Sequence, residues 1–180
     1  MKSKKGAIEL SINMLVVIIL SLIILAGGIA LLYKFLGNAQ ELKATLDART
    51  EEEIQNLLLQ EGKQVALPQN KAMIKRGEQK TFGLGVLNSG APETFMVFVN
   101  PSSPNYISLD GIEEENLAVS SWVLYDNSPI QLDEQGSYSV AILVVVPADA
   151  VSGTYLFDVV VQRSNGQRYG PIQKIQVDVK

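Results

Sequence analysis

No charged side chain stands between Leu10 and Tyr33, and that uninterrupted apolar run limits what the chain can become. At 1.5 Å per residue, a helix of about 20 such residues matches the hydrocarbon thickness of a bilayer. A helix that is apolar on every side must be covered by lipid or by other apolar surface. The run also exceeds the apolar centre of about 7–15 residues found in a cleaved secretory signal, so it is expected to be kept. Lys2, Lys4 and Lys5 precede it, whereas Lys34 is followed by mixed charge. The positive-inside bias then holds the N-terminus in the cytoplasm and puts everything after Tyr33 outside. The expected localisation is the cell membrane, crossed once, with an extracellular C-terminal domain.

Within the flank, Lys4-Lys5-Gly6-Ala7-Ile8 resembles the class III signal of archaeal type IV pilins and archaellins, and the likeness spans roughly the first thirty residues. That resemblance implies a prepilin peptidase-like enzyme cutting between Gly6 and Ala7, with Lys4 and Lys5 as part of the recognised leader. It further implies helices that bundle into the core of a surface filament. Glu9 would stand third in the trimmed chain, where bacterial members carry a glutamate at the fifth position that meets a neighbour's amino terminus. Here it either meets a neighbouring subunit or snorkels to the headgroups. Ala26, Gly27, Gly28 and Ala30 form a small-residue patch that permits close helix approach, while Ser11, Asn13 and Ser21 can bond to backbone or to another helix.

After Gly37-Asn38, Ala39, Leu42 and Leu46 fall on one helical stripe that Ile54, Leu57 and Leu58 continue. Thr50-Glu51-Glu52-Glu53 fits a capping box, so a break or restart is expected near 47–50, and Gly62 offers the stop. A continuous helix from Ala7 to Glu61 would extend roughly 80 Å. The stalk therefore packs on its own C-terminal domain, packs on copies of itself, or serves as a solvated spacer.

Beyond Gly62 the apolar period changes from about 3.6 to 2, punctuated by Gly, Pro, Asn and Ser. Phe82, Leu84 and Val86 alternate with Thr81, Gly83 and Gly85, and a turn at 88–92 leads to Phe95, Val97 and Val99. A hairpin is the simplest reading of that pair. Tyr138, Val140, Ile142, Val144 and Val146 form one inward row; Tyr155, Phe157, Val159 and Val161 form a second, and Ile175, Val177 and Val179 a third. With a strand near 119–125 and short edges near Val65 and Met73, seven or eight strands result, which suits two packed sheets better than a barrel. The stretches VLNSGAPETFMVFV and VVVPADAVSGTYLFDVVV are similar to immunoglobulin-like domains of microbial surfaces, a likeness covering most of 64–180. Tyr155, just after Ser152-Gly153-Thr154, sits where a tyrosine corner or a plain core tyrosine would stand, and Trp122 reads as core.

The fold expectation is thus α+β. It comprises a leader over 1–6, a long hydrophobic helix over 7–36, an amphipathic stalk over 37–62 and an immunoglobulin-like β-sandwich over 63–180.

Composition excludes much chemistry. The chain has no histidine and no cysteine, which removes the commonest general base, Ser-His-Asp hydrolysis, thiol chemistry and the familiar zinc sites. A net charge of −4 without a basic patch argues against nucleic acid. Asp110 with Glu113, Glu114 and Glu115, and Asp133 with Glu134, group carboxylates without calcium-loop spacing and read as solvated loops. Gly83 and Gly85 lie inside a strand, away from any phosphate-loop pattern, and mark a bulge or close backbone packing. Asn127-Ser128-Pro129 is no glycosylation sequon. No catalytic, metal or cofactor site is expected, and the chain is read as a non-enzyme. Two functions compete: a pilin-like filament subunit, and a single-pass accessory or adhesion protein whose sandwich binds an S-layer or other surface protein. Either would self-associate or dock through protein contacts, with the membrane as the other partner.

Overall fold

A computed structural model describes residues 14–21, 46–115 and 117–180. The chain divides into two compact units, Met1–Gln40 and Glu41–Lys180.

In the first unit, residues 14–21 are helical (α1). Ser21 Oγ donates to the Val17 carbonyl at 2.8 Å, so this serine satisfies itself on its own backbone.

The second unit opens with α2 (Ala48–Gln55), which runs into a π-helical turn, Asn56–Gln60. Ten strands follow: β1 (Val65–Ala66), β2 (Lys71–Ile74), β3 (Gln79–Leu87), β4 (Glu93–Ile107), β5 (Glu113–Glu114), β6 (Val123–Tyr125), β7 (Ile130–Leu132), β8 (Ser137–Val145), β9 (Gly153–Arg163) and β10 (Arg168–Val179). One sheet has the order β1-β3-β8-β6, and the other β2-β10-β9-β4, with β5 and β7 sharing the outer edge of β4. β2 runs parallel to β10, and the other pairings are antiparallel. This is the immunoglobulin arrangement of four strands against the C-F-G set, with the first strand divided between the sheets at Leu67–Asn70.

The three expected inward rows are buried except for Tyr138, which is half-buried against the core. Phe82, Leu84 and Val86 face Phe157, Val159, Ile175 and their neighbours in a single apolar cluster that also holds Trp122. Alternation at period 2 places each row on one face, and burying the apolar area drives the sheets together.

Tyr155 is fully buried, and its hydroxyl donates to the Val151 carbonyl at 2.8 Å. It is both a core residue and a tyrosine corner, bonded four residues back at the crossover from β8 to β9. Burial, followed by the neighbouring Tyr106, raises its pKa and keeps the phenol a donor.

The structure corrects the α+β reading. The described residues are mainly β, with α-helix at 14–21 and Ala48–Gln55, and among them no helix is long and apolar enough to cross a membrane. Most of the 7–36 segment lies outside the described residues. Of the 37–62 stretch the structure describes 46–62, where Asp47 caps a helix whose Ile54 and Leu58 pack against the sandwich. The cap is three residues earlier than Thr50: Asp47 Oδ1 accepts the Thr50 N–H at 2.7 Å. Gly62, at φ +68°, ends the helix as expected.

Two strand assignments also change. β3 and β4 form no hairpin, since β3 pairs with β8 and β4 with β9. The Asn88 side chain holds this crossing, donating to the carbonyls of Ala91, Leu132 and Asp133 and accepting from the Gly90 N–H. Residues Leu117–Trp122 form a 3₁₀ helix, leaving only Val123–Tyr125 as strand.

Candidate functional site

The sites expected from sequence lie mostly outside what the structure describes. Lys4, Lys5, Gly6, Ala7, Glu9, Ala26, Gly27, Gly28 and Ala30 are all outside the described residues. What the structure does place are two short helices that bear on attachment.

In α1, every side chain from Met14 to Leu20 is exposed, between 48% and 66%. These seven apolar residues go all the way round the helix, so no face of it suits water.

The seat of α2 is built by β3. Its inner residues Phe82, Leu84 and Val86 enter the main core, while Gly83, Gly85 and Leu87 meet the helix, so this strand is buried on both faces. A Cβ on Gly83 would lie 2.7 Å from the Thr50 methyl and 2.9 Å from Leu46 Cδ2. One on Gly85 would lie 2.9 Å from Leu58 Cδ1 and closer still to Ile54. The missing side chains are what let the helix approach. Ile54, Leu58, Ala66 and Leu87 close a second, smaller apolar cluster. Ser139 Oγ donates to Glu51 Oε1 at 2.8 Å, tying helix to β8. The Thr50 backbone and side chain hold the Asp47 carboxyl below its ordinary pKa. Sequence reasoning found the glycines and the apolar stripe, but not that each is the other's partner.

The outer face of the larger sheet carries polar ladders. Asp158 accepts from Ser102 Oγ at 2.7 Å and pairs with Lys174 at 2.9 Å. Asp178 accepts from Thr154 Oγ1 at 2.9 Å and Gln176 Nε2 at 3.0 Å, and pairs with Lys71 at 2.9 Å. Partial burial of Asp178 would by itself raise its pKa, but hydrogen bonds from Gln176, Lys71 and Thr154 prevail and hold it below 3.8. A carboxyl lowered in the folded state contributes stability above its unfolded pKa and loses it as pH falls through the folded one. Asp178→Asn is therefore expected to be less stable than the parent at pH 7, with the gap closing as pH drops below 3.8, as followed by urea denaturation at several pH values. An unchanged gap would mean the carboxylate is not what fastens β2.

Asp110, Glu113 and Glu114 are exposed, as are Asp133 and Glu134. Among the described residues no group of three or more carboxylates converges to hold a metal ion. An open cleft of about 460 Å³ lies beside Asp47, Thr50 and Lys71.

The strand order and the tyrosine corner define an immunoglobulin-like β-sandwich. No family model and no curated protein sequence matches the chain. Solved structures do match. A PapD-like domain of human CEP192 is 14% identical, with 65% of this chain and 85% of that one covered and a TM-score of 0.46. A Caenorhabditis elegans MSP family member, WR4, is 8% identical over 66% and 99%, with a TM-score of 0.41. The periplasmic chaperone SfaE is 10% identical, with a TM-score of 0.37; 64% of this chain is covered, and the match spans just over half (56%) of SfaE. No pilin or archaellin stands among these neighbours, so the resemblance to that superfamily is corrected. The likeness lay in roughly the first thirty residues, whereas the bulk of the chain is sandwich.

Proposed function

We propose that this chain is a non-enzymatic immunoglobulin-like module, attached to a membrane by its apolar N-terminal stretch and presenting its sandwich outside the cytoplasm to a protein partner at the cell surface. The observation that carries the reading is α1: seven consecutive apolar side chains, exposed on all sides, within a run uncharged from Leu10 to Tyr33. Lipid covers such a surface without needing a protein partner for each face. Lys2, Lys4 and Lys5 ahead of it favour a cytoplasmic N-terminus. The sandwich has its own complete core, which suits a module held at a surface and working through contact.

The full chain is expected to stay with membranes after an alkaline carbonate wash and to be released by detergent. Val17→Arg with Ile18→Arg adds about 5–7 kcal/mol to insertion, at about 2.5–3.5 per arginine, and is expected to move most of the protein to the soluble fraction. Parent protein found soluble would sink the proposal.

A further inference from the structure

Of the chain's asparagines, Asn165 alone is followed by glycine. It stands in the hairpin that joins β9 to β10, where the Gly166 N–H donates to the Arg163 carbonyl at 2.9 Å and the Arg163 N–H to the Gln167 carbonyl at 2.8 Å. Gly166 follows at φ +80°. This is the short hairpin loop closed by a left-handed glycine, and residues 164–168 are all exposed.

The Asn165 side chain is folded forward over its own backbone. Its Oδ1 accepts the Gln167 N–H at 2.9 Å, and its Nδ2 donates to Gln167 Oε1 at 3.2 Å. An Asx turn of this kind wraps the carboxamide round the intervening Gly166 nitrogen. The N–H on Oδ1 draws electrons away from Cγ and makes that carbon a better electrophile. Access is open as well: a Cβ on Gly166 would meet nothing within 4 Å.

We infer that Asn165 is a self-modifying site, converted in the folded protein to aspartate and isoaspartate with water as the co-reactant. Opening the bond from the Gly166 N–H to Arg163, at an exposed loop tip, frees that amide to give up its proton to hydroxide. The Gly166 nitrogen then bonds to Asn165 Cγ, the Cγ–Nδ2 bond breaks, and Nδ2 takes up a proton and departs as ammonia. Water opens the cyclic imide that results. Attack at Cγ leaves an aspartate side chain on the original backbone, whereas attack at the main-chain carbonyl carbon reroutes the chain through Cγ as isoaspartate. Arg163 and Arg168 bound the tip, and positive charge there favours both the amide anion and the new carboxylate. Glu93, 3.7 Å from Arg163, is the acid that opposes them.

Asn88 supplies the contrast within the same molecule. It too precedes a small residue, Ser89, but it is buried, its Nδ2 donates to the carbonyls of Ala91, Leu132 and Asp133, and the Ser89 N–H donates to Tyr169 Oη at 3.2 Å. Leaving group and nucleophile are both held.

The full chain in detergent is incubated for weeks at neutral and at alkaline pH in heavy-oxygen water, which marks any carboxyl formed before digestion. Tryptic cleavage after Arg163 and Arg168 isolates Asn165, and glutamyl cleavage after Glu78 and Glu93 isolates Asn88. The 164–168 peptide is expected to lose ammonia and gain labelled water, about tenfold faster per pH unit, because the ionised fraction of an amide far below its pKa rises in that proportion. The 79–93 peptide should keep its amide. A 164–168 peptide that stays intact, or that converts no faster than 79–93, overturns the inference. Conversion confined to chain unfolded in urea overturns it too, since the turn would then shield Cγ rather than present it.

Discussion

Replacing Tyr155 by alanine is expected to lower the unfolding free energy of the sandwich by about 4 kcal/mol, the range for truncating a large buried aromatic being about 3–5. The ring is wholly buried, with its centroid 4.4 Å from that of Trp122 and 4.9 Å from that of Tyr106. Its removal opens a hole between the 3₁₀ helix and the start of β9 that neither neighbour can fill from its fixed backbone. Tyr155→Phe separates packing from the corner bond. It keeps the ring but strands the Val151 carbonyl, and is expected to cost about 1–2 kcal/mol. Equilibrium urea denaturation of residues 41–180, which hold both apolar clusters, reads both values. A neutral Tyr155→Phe would mean that the hydroxyl contributes nothing to closing the crossover.

How far the sequence disclosed this molecule depended on the distance over which each signal acts. The inward rows at 138–146, 155–161 and 175–179 were legible because alternation is local and a sheet face needs only that. Strand partners were not. The residues of β3 and β4 read as a hairpin, yet β4 pairs with β9, and Asn88 fastens the crossing through the carbonyls of Leu132 and Asp133, 44 and 45 residues away. The segment 117–122 carries buried Val119 and Trp122 and looked like strand, because two buried residues three apart do not separate a 3₁₀ turn from an extended edge. The helix cap was displaced from Thr50 to Asp47 because both residues are good caps, and the choice falls on the one whose helix then lays Ile54 and Leu58 on the glycines. For attachment, the uncharged run was plain in the sequence.

The seat of α2 offers the sharpest single-residue test. Gly85→Val is expected to destabilise the unit by about 2 kcal/mol, within the 1–3 typical of overpacking, and the strain should be relieved by losing the helix rather than the sandwich. The reason lies in which neighbours can move. The new branches would point at Leu58 Cδ1 and at Ile54, both on α2 and its π-helical turn, whereas the backbone of β3 is held on either side by β1 and β8. The helix is fastened by a small cluster of its own and by the Glu51–Ser139 bond, so its release leaves the main core intact. Amide hydrogen exchange should therefore rise across 48–60 while β3 and β8 stay protected. Gly90→Ala is the matched control: its Cβ would meet only Asn88 Oδ1, at 3.8 Å, and neither stability nor exchange should change appreciably. If residues 48–60 remain protected in Gly85→Val, the helix is held by something other than its fit over the glycines. Uniform loss of protection through β3 and β8 would instead make α2 part of one cooperative core, and a load carried through Leu46 would then reach the sandwich directly rather than stopping at a detachable clasp.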